Sequence, residues 1–158
     1  MSDDPEPVFI VDNMLGSLAR WLRMLGYDSK YDRSISDNEI ALIAEAEGRK
    51  VLTRDKKLAE RADGFYVQST SLDEQLAIVA KEFSLHYRPD RMRCSVCNGN
   101  LQKVEAELVR SGVPEKSMEN ATEFWRCDSC RKVYWDGTHW TGILDRFDRL
   151  GLVKGDSG

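Results

Sequence analysis

The chain has 158 residues, a length that suits one domain or one domain with a small appendage. Hydrophobic residues make up 41% of it and charged residues 32%. Its formal net charge of −4 excludes a strongly basic protein, so any contact with nucleic acid must come from local basic patches. The sequence has no apolar run of about 18 residues and no positively charged leader. We therefore expect a cytoplasmic protein without membrane contact.

Strand-like and helical patterns alternate over residues 7–83. Such alternation predicts a mostly parallel sheet covered by helices on both faces. Right-handed crossovers place the carboxyl ends of all strands at one edge, where open α/β sheets bind ligands. In chain order the pattern predicts a strand at 7–11, a helix at 15–25, a short strand at 27–31, a helix at 36–47, a strand at 49–53, a helix at 55–61, a strand at 65–67 and a helix at 71–83.

The composition changes after residue 83. Residues 84–93 hold three arginines, one histidine and a proline, and we interpret them as a linker. Cysteines, glycines and aromatic residues then dominate. We therefore expect an α/β domain at 7–83, a linker at 84–93 and a small cysteine-bearing lobe at 94–150.

Four cysteines form two matched C-x-x-C pairs, Cys94 with Cys97 and Cys127 with Cys130. Disulfides and a redox pair are alternatives, but a redox motif needs only one pair and a thioredoxin-like setting. Four thiolates can close a tetrahedral shell around Zn²⁺ and leave no open position for catalysis. We predict a structural zinc ribbon.

Aromatic and basic residues surround these cysteines. They are Trp125, Tyr134, Trp135 and Trp140, with Arg91, Arg93, Arg126, Arg131 and Lys132. Aromatic rings and cations bind single-stranded nucleic acid, but the rings can equally form the small core of the ribbon. Both interpretations stay open, and for His139 packing on the ribbon is favoured over RNA binding.

Three aspartates stand at predicted helix starts on the ligand-binding edge: Asp12, Asp37 and Asp55. Converging carboxylates can bind Mg²⁺ or Mn²⁺, which prefer oxygen ligands and assist phosphodiester cleavage. Aspartate is also a common helix N-cap. Ser36 already supplies the cap of an S-x-x-E capping box, so Asp37 is not needed for that purpose.

The segment from Asp37 to Asp55 resembles the part of PIN nucleases that joins their last two acidic residues, and Asp12 matches the first. Further motifs follow in order: VDNMLGSLARWLRMLGYD from Val11, LTRDKKL from Leu52, RCSVCN from Arg93 and CDSCRKVYWDGTH from Cys127. Together they resemble the Mut-seven C-terminal ribonuclease family over residues 8–145. The resemblance implies a PIN-like three-layer α/β sandwich with a C-terminal zinc ribbon.

The same resemblance implies function. It indicates a ribonuclease with a divalent metal in the PIN-like site and with structural zinc. We expect Asp12, Asp37 and Asp55 to be its catalytic ligands of Mg²⁺ or Mn²⁺, and its RNA partner to be single-stranded. A homodimer is compatible with the resemblance. PIN domains carry one further helical acid, which this chain lacks. Asp28 and Asp32 are candidates to replace it.

Five polar or basic residues near the aspartates are candidate substrate ligands: Asn13, Arg20, Arg23, Arg54 and Lys56. Cations beside metal-binding carboxylates suit a phosphodiester. The alternative for Arg20 and Arg23 is a solvated helix face.

Two other functions compete with the ribonuclease. The incomplete acidic set would also suit an inactive RNA-binding or adaptor module that uses its zinc ribbon. Phosphoryl transfer through aspartate is disfavoured, because Asp12 is followed by Asn-Met and not by a second acid.

Overall fold

A computed structural model describes residues 6–153. Residues 9–83 contain a parallel sheet with the strand order β2-β1-β3-β4 and the helices that cover it. The strands are β1 (Phe9–Val11), β2 (Ser29–Lys30), β3 (Lys50–Thr53) and β4 (Phe65–Tyr66). The helices are α1 (Gly16–Leu25), α2 (Asp37–Glu47), α3 (Lys56–Arg61) and α4 (Leu72–Phe83).

Both faces of this sheet are buried, because successive strand residues point to opposite sides. Phe9 and Val11 pack into a core that also holds the apolar stripes of α1 and α4. Ile10 lies on the other face, in a smaller core with residues of α2 and α3. The predicted α/β sandwich with a parallel sheet is thereby confirmed.

The order in which strands are added to the sheet changes direction between β1 and β3, although all four strands are parallel. From β1 it passes through α1 to β2 on one side, and from β3 it passes through α3 to β4 on the other side. The two helices cover opposite faces. Such a reversal opens a crevice at the carboxyl ends of the two strands. Asp12 follows β1 and Asp55 follows β3, so both lie at this crevice.

The helix that carries Asp37 begins as the sequence predicts. The Ser36 hydroxyl accepts a hydrogen bond from the Glu39 N–H, and the Glu39 carboxylate accepts one from the Ser36 N–H, each at 3.2 Å. This capping box makes Asp37 the first residue of α2.

A second, antiparallel sheet carries the cysteines. Its strands, in spatial order, are β5 (Leu101–Val104), β6 (Phe124–Cys127) and β7 (Val133–Trp135). The long spacer between the cysteine pairs holds two short helices, α5 (Ala106–Val109) and α6 (Glu115–Asn120). Val109, Val113 and Phe124 form the small hydrophobic core of this cysteine-bearing lobe.

The last helix, α7 (Thr138–Arg149), follows the cysteine-bearing sheet in the sequence but packs against the core of the parallel sheet. Ile143 and Phe147 are buried in the core shared by α1 and α4. Phe147 meets the Trp21 ring edge-on at 5.6 Å. The end of the 94–150 segment therefore packs against the core of the 7–83 segment.

The expected linker is also packed. Leu85 and Met92 are buried, and the Tyr87 N–H donates to the Leu152 carbonyl at 2.7 Å. The Arg88 N–H donates to the carbonyl of Leu25, the last residue of α1, at 2.9 Å. These apolar residues among the arginines of 84–93 explain why the segment lies against the domain. None of the helices in the described part of the chain has the length and apolar character that crossing a bilayer requires.

Candidate active site and cysteine cluster

Asp12 is the residue after β1, and its side chain is only 4% exposed. Its Oδ1 accepts a hydrogen bond from the Met14 N–H at 2.8 Å. Its Oδ2 accepts from the Arg54 N–H at 3.0 Å and from the Thr53 hydroxyl. Three donors thus fix the orientation of this carboxylate at the crevice.

The Thr53 hydroxyl connects Asp12 to Asp55. It is fully buried, donates to Asp12 and accepts from the Asp55 N–H at 2.8 Å. Asp55 then caps α3, with its Oδ1 accepting from the N–H groups of Lys57 at 2.9 Å and Leu58 at 3.3 Å. Because both capping bonds use Oδ1, the cap leaves Oδ2 for other partners.

Asp37 and Asp55 meet at one open cleft of about 450 Å³. Asp37 is exposed, and Asp55 is half-buried. Lys57 and Arg61 also line the cleft, whereas Asp12 does not. The structure therefore brings Asp37 and Asp55 to a shared surface. Asp12 stays buried against the turn that runs from Thr53 to Asp55.

The three acids do not form a compact cage. Within residues 6–153, the cysteine quartet alone brings three or more His, Cys, Asp or Glu ligand atoms within 4.8 Å of one another. Mg²⁺ usually retains several waters and uses one or two carboxylates. Asp37 and Asp55, which line one cleft, offer the carboxylate oxygens that such a hydrated ion uses.

Asp28 and Asp32, the two candidates for a further acid, lie at opposite ends of β2. Asp28 precedes β2 and is held away from the crevice by Arg49 at 2.8 Å and by the Asn98 amide at 2.6 Å. Burial favours the neutral form of Asp28, but these hydrogen bonds outweigh it and lower its pKa. Asp28 therefore stabilises the fold and does not complete the site. Asp32 follows β2 and so lies at the acidic edge, the edge of the sheet at the carboxyl ends of the strands where Asp12 and Asp55 also lie. Its carboxylate accepts a hydrogen bond from the Ser34 N–H at 2.9 Å.

Arg23 does not have the role that the sequence predicted. It is 4% exposed, its Nε donates to the Ser29 carbonyl at 2.8 Å, and its Nη1 donates to the carbonyls of Ser95 at 2.9 Å and Val96 at 3.3 Å. Burial lowers its pKa, and the charges of the nearby cysteines act in the opposite direction. Arg23 joins α1 and β2 to the first cysteine pair and is not accessible to a substrate.

The other predicted substrate ligands are accessible. Asn13 and Arg20 are exposed and line one cleft together with Arg33, which the sequence did not single out. Lys56 is exposed at the start of α3. Arg54 is half-buried, and its Nη2 reaches the Gln68 carbonyl at 3.4 Å. Arg20 and Arg33 thus lie in a cleft next to Asn13, whereas Lys57 and Arg61 are the cations that share a cleft with Asp37 and Asp55.

The four cysteine sulfurs have the separations of ligands around one ion. The Sγ atoms of Cys97 and Cys127 are 3.4 Å apart, and those of Cys94 and Cys130 are 3.7 Å apart. A disulfide would bring two sulfurs to about 2.05 Å. Tetrahedral Zn–S bonds of about 2.3 Å place sulfurs roughly 3.8 Å apart. The cluster is one that can bind zinc.

Backbone geometry prepares the second cysteine pair for a metal. Arg131 adopts a left-handed conformation, with φ 71°, so that the chain turns back after Cys130. The Cys127 sulfur accepts N–H bonds from Ser129 at 3.3 Å and Cys130 at 3.4 Å. Burial opposes ionisation of Cys127, but these bonds outweigh it and lower its pKa to about 7. A thiolate is the form that binds metal.

Two residues support the cluster in ways that the cysteine spacing did not predict. The Tyr134 hydroxyl lies 3.1 Å from the Cys94 sulfur and accepts the Ser95 N–H at 3.1 Å. At Gly99, an added Cβ would lie 2.8 Å from the Cys127 sulfur, so a larger residue would displace the metal-binding sulfur. The supporting roles of Tyr134 and Gly99 become visible only in the folded structure, where each lies against a cysteine that is distant in the sequence.

Fold and site together define a doubly wound α/β protein that carries carboxylates at its reversal point and a cysteine cluster on a small second sheet. The family model described as Mut7-C RNAse domain matches residues 7–147. The chain therefore belongs to this family, as its motifs indicated, and the family suggests a nuclease-type function. Neither a curated protein nor a solved structure matches the chain significantly.

The buried hydrogen bonds of Arg23 predict a large effect of its removal on stability. Arg23→Ala leaves three carbonyls without their donor, and we expect the free energy of unfolding to fall by about 2–4 kcal/mol. Arg20→Ala, an exposed arginine on the same helix, should change it by no more than about 0.5 kcal/mol. Urea unfolding measures both variants. Equal stabilities would contradict the assigned contacts.

The cysteine geometry predicts one zinc ion per chain. Cys127→Ser should lower the zinc content and speed amide exchange over residues 94–135, because zinc binding and folding of such lobes are coupled. Acidification should release the zinc, since protons compete for the thiolates. Elemental analysis and hydrogen exchange measure these effects, with Ser129→Ala as the matched control. A zinc-free wild-type protein with a protected lobe would refute the prediction.

Proposed function

We propose that the chain is a ribonuclease that hydrolyses phosphodiester bonds of single-stranded RNA through Asp12, Asp37 and Asp55, with Mg²⁺ or Mn²⁺ held by Asp37 and Asp55 and with Asp12 supporting them. The family supports the nuclease class. The observation that carries the proposal is the Thr53 hydroxyl, which joins Asp12 to the Asp55 backbone across the carboxyl ends of β1 and β3. This contact supports a shared role for Asp12 and Asp55, since open α/β sheets of this topology bind ligands at the ends of such strands.

Each acid has a distinct part in this proposal. Asp37 and Asp55 line the open cleft and would hold the ion. When bound, Mg²⁺ or Mn²⁺ supplies a Lewis acid for phosphodiester hydrolysis. Asp12 adds buried negative charge and holds the Thr53-Arg54-Asp55 turn through two hydrogen bonds, which keeps Asp55 in position.

The basic residues would orient the RNA. Asn13, Arg20 and Arg33 form a polar cleft beside the residue that follows β1. Arg54 and Lys56 flank Asp55 in the sequence. Phosphates attract such cations without regard to base identity, and the binding weakens as salt rises. The backbone of the RNA would thus be drawn along the edge that carries the acids.

A second candidate function is RNA binding without cleavage. It is favoured by one observation, namely that the described carboxylates form no group of three within 4.8 Å. In that case Asp12 and Asp55 would serve only as helix caps, Asp37 would be a surface residue, and the cysteine-bearing lobe would contact RNA.

The two functions predict different behaviour of Asp→Asn variants. Asn is as good an N-cap as Asp, so Asp55→Asn should keep the fold. We expect Asp55→Asn and Asp37→Asn to lower metal-dependent cleavage of labelled single-stranded RNA roughly 100-fold or more. Asp12→Asn should lose cleavage as well.

The control is Asp90→Asn, an exposed acid on the 84–93 segment, which should cleave like the wild type. Cleavage is measured with Mn²⁺, Mg²⁺ or neither, on protein whose zinc content and circular dichroism are unchanged. If folded wild-type protein bound several RNAs and cleaved none with either metal, the binding module would replace the ribonuclease.

A further inference from the structure

A cavity of about 660 Å³ lies between the cysteine-bearing lobe and α7, away from the aspartates. Its volume is in the range of small-molecule sites. Met24 of α1 and Ile143 of α7 contribute apolar surface to it. Tyr134, Trp135 and Trp140 add aromatic rings.

The ionisable side chains at this cavity favour an anion. Lys116, Lys132 and His139 line it, and all three are exposed. No Asp or Glu is among its lining residues, although the chain has 27 acidic against 23 basic residues. A surface of this composition attracts a phosphate-bearing ligand in a protein that is acidic overall.

The rings in the cavity are held in place. Trp140 stacks on Trp125, with centroids 4.8 Å apart and planes at 11°. Trp135 is half-buried and packs against the small core of the lobe. Rings that are fixed before binding lose little side-chain entropy when a flat partner stacks on them. Aromatic platforms beside cations are how proteins bind single-stranded nucleic acid.

The start of α7 adds to this surface. Its N-cap is Gly137, no side chain caps its first turn, and that turn has no acidic residue. Gly137, Thr138 and His139 line the cavity. The uncapped N–H groups of a 12-residue helix therefore supplement the lysines.

We propose that this cleft binds a nucleotide of single-stranded RNA, with the base against Trp135 or Trp140 and the phosphates near Lys116 and Lys132. The choice of RNA as ligand rests on the proposed ribonuclease function. Met24 lies near the end of α1, whereas Asp12 precedes its start, so the length of this helix, roughly 15 Å, separates the cleft from Asp12. The cleft would thus hold RNA at a distance from the acids, and only an RNA long enough to span α1 would reach both.

The experiment measures RNA affinity in the Asp55→Asn background, where the RNA stays intact. The probes are labelled oligoadenylate of about 12 nucleotides and an abasic ribose-phosphate chain of equal length. The test variant is Lys116→Gln/Lys132→Gln. Its matched control is Lys81→Gln/Lys103→Gln, which removes the same charge from two exposed lysines outside the cavity.

We expect the test variant to bind oligoadenylate roughly tenfold more weakly than its parent, and the control to bind within about twofold of it. The abasic chain should bind the parent roughly tenfold more weakly than oligoadenylate, because it cannot stack. Oligoadenylate should also quench tryptophan fluorescence more than the abasic chain does. Equal affinities of test and control variants, or of the two probes, would overturn the proposal.

Failure of the cleft and failure of the nuclease are distinguishable. If the Asp variants abolish cleavage while the cavity variant binds like its control, the ribonuclease stands and the cleft is refuted. If the wild type cleaves no RNA but affinity depends on the cavity lysines and on the bases, the cleft stands and the ribonuclease is refuted.

Discussion

The hydroxyl of Thr53 is the contact on which the acidic edge depends. It is fully buried at the end of β3, donates to Asp12 at the end of β1 and accepts from the backbone of Asp55. The sheet reverses its winding between these two strands, which opens the crevice that the acids occupy. A hydrophobic residue at position 53 would leave Asp12 without one donor and the Asp55 N–H without its acceptor. Chain topology makes the crevice, and this one side chain sets the acids within it.

A second buried polar group connects the two sheets. Arg23 extends from α1 to carbonyl groups of the first cysteine pair, and α7 returns from the cysteine-bearing lobe to the core of the parallel sheet. The lobe is therefore attached at two places and not through a free linker. Four thiolates around a bound Zn²⁺ would carry a net negative charge, which the nearby Arg23 guanidinium would offset. This attachment gives the proposed RNA cleft a stable position relative to the acids.

Local sequence patterns predicted the parts of the structure that depend on local physics. The capping box at Ser36 and Glu39, the paired cysteines and the alternation of strands with helices are determined within a few residues. The roles of Arg23 and Asp28 were not predictable, because their partners lie far away in the chain. The packing of α7 was missed for a similar reason, since Ile143 and Phe147 match the core only after the lobe has folded. The order of strands and helices, with the family resemblance, predicted that the aspartates lie at one edge of the sheet. The burial of Asp12 could not be predicted, because it depends on its contacts with Thr53 and Arg54.

The most direct measurement of the central claim is the position of Mn²⁺ in crystals of the wild-type protein grown with that ion. An anomalous difference map locates manganese without reference to activity. We expect a peak in the cleft between Asp37 and Asp55, at direct or water-mediated coordination distance from their carboxylates. Crystals of Asp55→Asn should lack this peak. A map with no manganese at this edge, at concentrations that saturate ordinary metal-dependent nucleases, would contradict the proposed metal site.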